Sequence, residues 1–407
     1  MTAPSLPRQE QQMLWLLAAV QFTHLLDFMI VMPLGPEFIR LFGISAAQFG
    51  ALVSAYTLAS ATMGVLGVFW LDRFDRKRTL LMLYAGFIAA TFACGVAQGY
   101  LWLLLARTLA GACAGLASAV VMAIIGDMVP PERRGRAIGT VLASHGLSAV
   151  AGVPLGLGLA TAWGWRSPFW AICSLAAGVW LLLLRILPPI NRHLTESRDA
   201  VRQDSLASVW TRHLALGWVL TFSVVFASFL LIPYLGTFMV GNLGLRLGEL
   251  PWVYLFGGVA TFFSARGIGQ LTDRHGPALV LASLLVGTMV PHLLFTHLPV
   301  SPLPVVIAAF ALFMALTSGR AIPTMALVSS RVPPALRGRY LAVNMAASDG
   351  ASGLGAWVSG LMITAAPNGA LSGFDVVGWV AVAMSACALG ILWTLSRRTA
   401  SLSAAPT

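Results

Sequence analysis

The chain alternates long apolar runs with short polar or basic segments, and this pattern predicts helices that cross a membrane. A membrane-spanning helix needs about 20 mainly apolar residues. Six runs of this kind precede a polar stretch at 188–212 and six follow it, which predicts an all-α integral membrane protein with twelve transmembrane helices. The predicted spans are residues 13–35, 48–69, 79–97, 101–128, 137–161, 167–187, 213–240, 250–270, 277–297, 302–329, 340–364 and 374–396.

One short phrase occurs twice, half the chain apart. Residues 129–136 read VPPERRGR and residues 332–339 read VPPALRGR, each between long apolar runs. Membrane carriers are often built from two repeats, with the substrate site near the bilayer midplane between them. We therefore predict two pseudo-symmetric six-helix bundles, at 1–187 and 213–407, joined by a linker at 188–212.

The composition argues against a soluble protein. Hydrophobic residues make up 58% of the chain, charged residues make up 10%, and the mean hydropathy is +0.84. Soluble domains carry about 25% charged residues, so this chain cannot present an ordinary hydrated surface. The four cysteines lie inside apolar runs without paired spacing, which predicts packing roles and neither disulfides nor metal ligands. No cofactor is expected.

The basic residues indicate how the chain is oriented. The net charge of +11 is not accompanied by a nucleic-acid-binding motif, so no nucleic-acid partner is expected. Of 25 Lys and Arg residues, 20 fall on the side that holds both chain ends and the linker. The positive-inside rule makes that side cytoplasmic, and its basic loops can contact anionic lipid. The expected location is a bacterial inner membrane, with both termini in the cytoplasm.

Several segments resemble a known family. Residues 269–276 match its G-x-L-x-D-R-x-G loop, and residues 71–80 form a less regular copy in the first half. Residues 107–127 resemble its fourth span, 152–158 its Gly-Pro antiporter signature, and 164–170 the entry to its sixth span. Together they resemble the major facilitator superfamily, in particular its twelve-span drug:proton antiporters. The resemblance implies two six-helix bundles around a central cavity, working by alternating access.

The resemblance also implies a cluster of charges that latches the cytoplasmic helix ends. An acidic side chain at the start of span 3 can accept hydrogen bonds from the helix N-terminus, and we assign this role to Asp72. The alternative is that the basic residues only fix the topology and meet anionic lipid. The predicted gate residues are Asp72, Arg73, Arg76, Asp127, Asp273 and Arg274.

Four ionisable residues are predicted at membrane depth, namely Asp27, Arg107, Arg320 and Asp349. Such a residue costs about 2.5–3.5 kcal/mol on insertion scales and therefore faces a cavity or a partner. Asp27 and Arg107 both fall in the outer half of the bilayer, so an ion pair between them is feasible. Asp27 is then either a proton-coupling residue or half of a structural pair. Asp349, the deepest carboxylate of the second half, is an equal candidate for proton coupling or substrate binding. Arg320 can pair with Asp349 or with a backbone carbonyl.

Further polar and aromatic residues are candidates for the cavity wall. His24 lies one helical turn before Asp27, on the same face. The other candidates for substrate contact are Asn344, His145 and Tyr234, for each of which a packing or hydrogen-bonding role is the alternative. The expected hinge and packing residues of span 5 are Gly152, Pro154 and Gly156.

The leading hypothesis is a proton-coupled exporter of small amphipathic or cationic compounds that works as a monomer. The alternative is a carrier of the same fold for a sugar, a nucleoside or an organic anion, in which Arg107 and Arg320 bind the substrate charge. Neither a metal-ligand spacing nor a phosphate-binding loop nor a nucleophile elbow occurs, which argues against an enzyme. A channel would need filter elements that the sequence does not show.

Overall fold

The structure is a computed structural model that describes residues 8–67, 71–191, 212–333, 336–366 and 369–403. Nearly all of these residues are helical, because apolar runs satisfy their backbone hydrogen bonds internally as helices in lipid. The first half contains α1 (Arg8–Ile30), α2 (Gly35–Phe42), α3 (Ala46–Gly67), α4 (Arg76–Gly95), α5 (Tyr100–Met128), α6 (Pro131–Leu147), α7 (Val153–Trp163) and α8 (Ser167–Ile186).

The second half is helical as well, with one short hairpin. Its strands, β1 (Thr364–Ala365) and β2 (Leu371–Ser372), pair antiparallel. Its helices are α9 (Arg212–Phe229), α10 (Leu235–Gly241), α11 (Leu250–His275), α12 (Pro277–Thr296), α13 (Leu303–Gly319), α14 (Ala321–Ser330), α15 (Arg337–Met362) and α16 (Phe374–Ser403). The predicted linker at 188–212 lies almost wholly outside the described residues.

The protein is a helical integral membrane protein. Ten helical stretches of the described chain are long and apolar enough to cross a bilayer. The remaining two predicted spans correspond to α11 and α15, each of 26 residues, about 39 Å at 1.5 Å per residue. These two helices fall outside that set of ten, so the count of twelve stays a prediction.

Four predicted spans are interrupted; span 5 changes to a π-helical segment at Ser148–Gly152, and the other three break as follows. The first ends at Ile30, before Pro33, and the chain becomes helical again at Gly35. Span 7 breaks around Pro233 into α9 and α10, and span 10 breaks at Arg320 between α13 and α14. Proline cannot donate a backbone hydrogen bond and clashes with the preceding turn, which accounts for the first two breaks.

The chain divides into two compact units. The first comprises Met1–Val31 and Ala59–Asp204, and the second comprises Met32–Leu58 and Ser205–Thr407. This division differs from the predicted bundles because the segment Met32–Leu58 belongs to the second unit. In the first unit α1 packs on α6 and α8, and α4 packs on α5. In the second unit α9 packs on α15 and α16, α11 on α13, and α12 on α16.

One close helix approach in the first unit depends on a glycine. A Cβ at Gly115 on α5 would lie 2.7 Å from the Ser60 Cα on α3 and would overlap the Ser60 carbonyl oxygen. We expect Gly115→Val to lower the free energy of unfolding by about 1–3 kcal/mol, because the opposing atoms are backbone and cannot turn away. Thermal unfolding in detergent measures this loss.

The control for this substitution lies on the same helix. A Cβ at Gly126 would meet nothing within 4 Å, so Gly126→Val should leave the melting temperature nearly unchanged. Equal melting temperatures for the two variants would show that the approach of α3 and α5 does not require a glycine.

Candidate functional site

The predicted ion pair of the first unit is formed and fully enclosed. The Arg107 Nη1 atom on α5 donates to Asp27 Oδ2 at 2.6 Å and to the Asp27 carbonyl oxygen at 3.0 Å. Both side chains have no solvent exposure. From α4, Thr91 lies beside Asp27 and Cys94 beside Arg107. A proton bound by Asp27 would neutralise its carboxylate and remove this countercharge of Arg107.

Three polar side chains at one-turn spacing on α1, those of Gln21, His24 and Asp27, are divided between two environments. Asp27 faces Arg107, whereas Gln21 and His24 face Ser118 further along α5. Ser118 donates to the Gln21 amide oxygen at 3.1 Å and lies 3.0 Å from His24 Nε2, which also contacts Gln21. The expectation that Asp27 lines an open wall together with His24 is therefore wrong in this conformation, because Arg107 draws the carboxylate into the helix packing.

Span 5 packs against the turns of α1 that flank Asp27. A π-helical segment, Ser148–Gly152, joins α6 to α7, and Pro154 follows within the first turn of α7. A Cβ at Gly152 would lie 2.8 Å from Leu26 Cδ1, and one at Gly156 would lie 2.7 Å from Ile30 Cδ1. π-Helical turns often occur at functional sites. The predicted hinge residues thus lie directly against the helix that carries the buried acid.

His145 lies just before this π-helical segment. Its Nδ1 atom is 3.2 Å from the Leu142 carbonyl oxygen, and the residue is exposed. It is close enough to His24 for the two imidazoles to interact electrostatically. Two histidines that are 121 positions apart in the sequence are thus neighbours in the structure.

Among the charged residues predicted to form the cytoplasmic gate, Arg76 and Asp127 form an ion pair. Arg76 Nε lies 3.2 Å from Asp127 Oδ2, and Arg76 Nη1 donates to the Leu71 carbonyl at 3.3 Å. The cap of α4 is Asp75 and not Asp72, because the Asp75 side chain accepts from the Arg78 backbone N–H at 2.8 Å.

The remaining predicted gate residues contribute less to this cluster. Arg73 is exposed, and the side chain of Asp72 lies outside the described part of the chain. Asp273 and Arg274 are exposed near the end of α11, and neither forms an ion pair with any side chain that the structure describes. A salt bridge of 3.1 Å between Arg133 and Glu10 was not predicted, because these side chains converge only in the folded chain.

In the second unit the predicted Arg320–Asp349 pair is not formed. The Arg320 guanidinium is fully buried and donates to the Thr317 carbonyl and to three side-chain hydroxyls. Asp349 is half-buried on α15. Asn344, a buried residue on the same helix, accepts a hydrogen bond from Thr221 at 2.8 Å.

Tyr234 packs inside the second unit. Its hydroxyl donates to the Ala46 carbonyl at 2.8 Å, and its ring meets Phe49 edge to face. A Cβ at Gly50 would lie 2.5 Å from this hydroxyl, so glycine makes room for the tyrosine. With no exposure and its hydroxyl held by backbone, Tyr234 is a packing residue in this conformation, not part of a pocket wall.

Interrupted helices and enclosed charges within an apolar helical protein are together typical of secondary membrane carriers. Comparison with known proteins identifies the family. The profile of the Major Facilitator Superfamily matches residues 17–355 and, in a second alignment, 217–407. The chain belongs to this superfamily; it is a membrane transporter and not an enzyme.

Three similar proteins illustrate the relationship. The uncharacterized MFS-type transporter YceJ of Bacillus subtilis is 25% identical over 89% of this chain and 93% of its own length. The chloramphenicol resistance protein of Streptomyces lividans is 28% identical over 84% and 90%, respectively. The crystal structure of a D-xylose–proton symporter superposes with a TM-score of 0.75 at 18% identity, covering 95% of this chain and 97% of that one, which shows the shared fold.

Proposed function

We propose that this transporter exports small amphipathic or cationic compounds in exchange for protons. The observation that supports the proposal is the enclosed pair of Asp27 and Arg107, whose atoms lie 2.6 Å apart with no solvent exposure. A buried ion pair of this kind carries a desolvation cost that its mutual attraction has to offset. A buried ion pair with such a cost is expected where a change in its protonation serves the transport cycle.

In the proposed cycle, a proton arriving at Asp27 removes the attraction that holds Arg107 and releases α1 from α5. Gly152 and Gly156 transmit this movement, since they pack on the α1 turns that flank Asp27. Loss of the proton re-forms the pair. A cargo cation competes for the same carboxylate, so that proton and cargo occupy it alternately. Asp349 is the corresponding acid of the second half.

The cargo class to be tested first is taken from the relatives. The Streptomyces lividans relative is a chloramphenicol resistance protein, which makes chloramphenicol the first compound to test.

We further propose that the protein works as a monomer in a bacterial inner membrane, with both termini cytoplasmic. The basic residues of the cytoplasmic side, which include Lys77 and Arg78, would contact lipid headgroups.

Inside-out membrane vesicles test the proposal. An imposed gradient with acid inside should drive accumulation of labelled chloramphenicol or of the cation tetraphenylphosphonium, and a protonophore should abolish it. Vesicles from cells without the protein provide the background. Saturable counterflow of a sugar, a nucleoside or an organic anion, without drug accumulation, would replace this proposal with that of a metabolite carrier.

The contact between Arg76 and Asp127 is proposed to latch the cytoplasmic ends of α4 and α5. Arg76→Gln removes a charged hydrogen bond from a nearly buried donor, a loss of about 1–3 kcal/mol. We expect counterflow to slow about tenfold, which 1.4 kcal/mol of lost stabilisation would produce. Arg78→Gln is the matched control, since Arg78 is exposed two residues further on. Equal rates for the two variants would refute the latch.

A further inference from the structure

Arg320 is a buried cation whose guanidinium is hydrogen-bonded by neutral groups but has no countercharge among the described residues. It lies at the break between α13 and α14 and has no solvent exposure. Its guanidinium donates to hydroxyls from three different helices, Ser228 on α9, Thr288 on α12 and Ser385 on α16, and to the Thr317 carbonyl. No carboxylate of the described chain contacts it.

The three hydroxyls act toward the guanidinium only as neutral hydrogen-bond acceptors. Each hydroxyl has a single proton, and each donates that proton to a carbonyl of its own helix. These bonds measure 3.1 Å from Ser228 to Val224, 3.0 Å from Thr288 to Leu285, and 2.9 Å from Ser385 to Ala381. The positive charge is therefore spread over neutral dipoles. An ion in such an interior costs several kcal/mol unless a countercharge is present.

Two polar groups next to Arg320 are unpartnered. His292 lies one turn beyond Thr288 on α12, which places both on one helix face. Its ring packs 5.5 Å from Phe313, and both ring nitrogens are buried without a hydrogen bond. The Thr317 hydroxyl, one turn beyond Phe313 on α13, is likewise buried and unpartnered. Unmade hydrogen bonds of buried groups cost about 1–3 kcal/mol each.

We propose that the second unit binds a halide-sized anion between Arg320, His292 and Thr317. A neutral imidazole has one N–H donor and threonine has one O–H donor, and an anion accepts from both while it neutralises the guanidinium. A water molecule could satisfy these hydrogen bonds, but it would leave the positive charge of Arg320 without a countercharge. The complete enclosure of Arg320 and His292 favours a monatomic anion over a carboxylate or a phosphate. This site is separate from the proposed exchange at Asp27.

Thermal unfolding of the purified full-length protein in detergent tests the site. Sodium chloride or sodium bromide replaces sodium gluconate at constant ionic strength and pH, so the cation is unchanged and only the anion is exchanged. A ligand that binds the folded state alone raises the melting temperature with its concentration. We expect saturable increases of about 3 °C with both halides. In crystals grown with bromide, an anomalous peak should lie beside Arg320.

Two conservative variants separate specific binding from a general salt effect. His292→Phe keeps the ring but removes the N–H group, and Thr317→Val removes the hydroxyl at similar volume. Both leave Arg320 in place, and each should weaken halide binding about tenfold. His275→Phe, at an exposed site, is the control and should keep the parent response. Equal halide responses in all four proteins, no response in the parent, or a water molecule at the predicted peak would each overturn the proposal.

Discussion

Replacing Asp27 with asparagine is expected to reduce drug accumulation driven by a pH gradient to the level of vesicles that lack the transporter. Asparagine has nearly the same shape and can still accept a hydrogen bond from Arg107, so the variant can fold, although α1 is held on α5 less tightly. It cannot gain or lose a proton, and the variant is therefore fixed in a state like that of the protonated acid. Exchange of labelled for unlabelled chloramphenicol, which carries no positive charge to pair with the carboxylate and needs no proton movement, should continue.

Three measurements make this result interpretable. The melting temperature of Asp27→Asn shows that a loss of transport does not reflect unfolding. Asp375→Asn, which changes an exposed acid in the first turn of α16, should transport like the parent. Asp349→Asn shows whether the acid of the second half is also needed. If Asp27→Asn kept the full pH-driven accumulation, Asp27 would be a structural residue, and the proton would have to bind elsewhere.

The sequence allowed prediction of those features that depend on free energies of transfer into lipid. Helical spans follow from apolar length, and the enclosed positions of Asp27 and Arg107 follow from the cost of an isolated charge at membrane depth. The span and helix boundaries agree within a few residues for α4, α5 and α8. The break after Ile30 was not predicted, although Pro33 was visible, because an apolar run alone does not show whether a helix continues through it.

The hydrogen-bond partners of individual polar side chains were much harder to predict. Arg320 was assigned Asp349 or a carbonyl, yet it uses the carbonyl together with three hydroxyls from separate helices. Serine and threonine are so common in membrane helices that sequence alone does not single out these three. Asp75 displaces Asp72 as helix cap because α4 begins at Arg76, so that Asp75 and not Asp72 directly precedes its first turn. Helix rotation and exact starting points are decided by packing, which a single sequence does not contain.

A comparison of three variants measures what the ion pair contributes to stability. Asp27→Leu leaves the Arg107 guanidinium buried without its countercharge, and this group stays protonated at any ordinary pH. We expect a loss of about 3–5 kcal/mol in the free energy of unfolding. Arg107→Met leaves a buried carboxyl that can take up a proton and become neutral. Its loss should therefore be smaller and should decrease as the pH is lowered.

The double variant Asp27→Leu/Arg107→Met should recover most of the stability, since apolar replacement of a buried pair is often neutral or stabilising by about 1–4 kcal/mol. Thermal unfolding at two pH values measures all four proteins, and transport in vesicles is assayed in parallel. A stable double variant without pH-driven transport would mean that the pair serves coupling rather than folding. If the two single losses instead added in the double variant, the two side chains would not act as a unit. The proposed proton switch would then lose its physical basis, because a proton on Asp27 could not release Arg107.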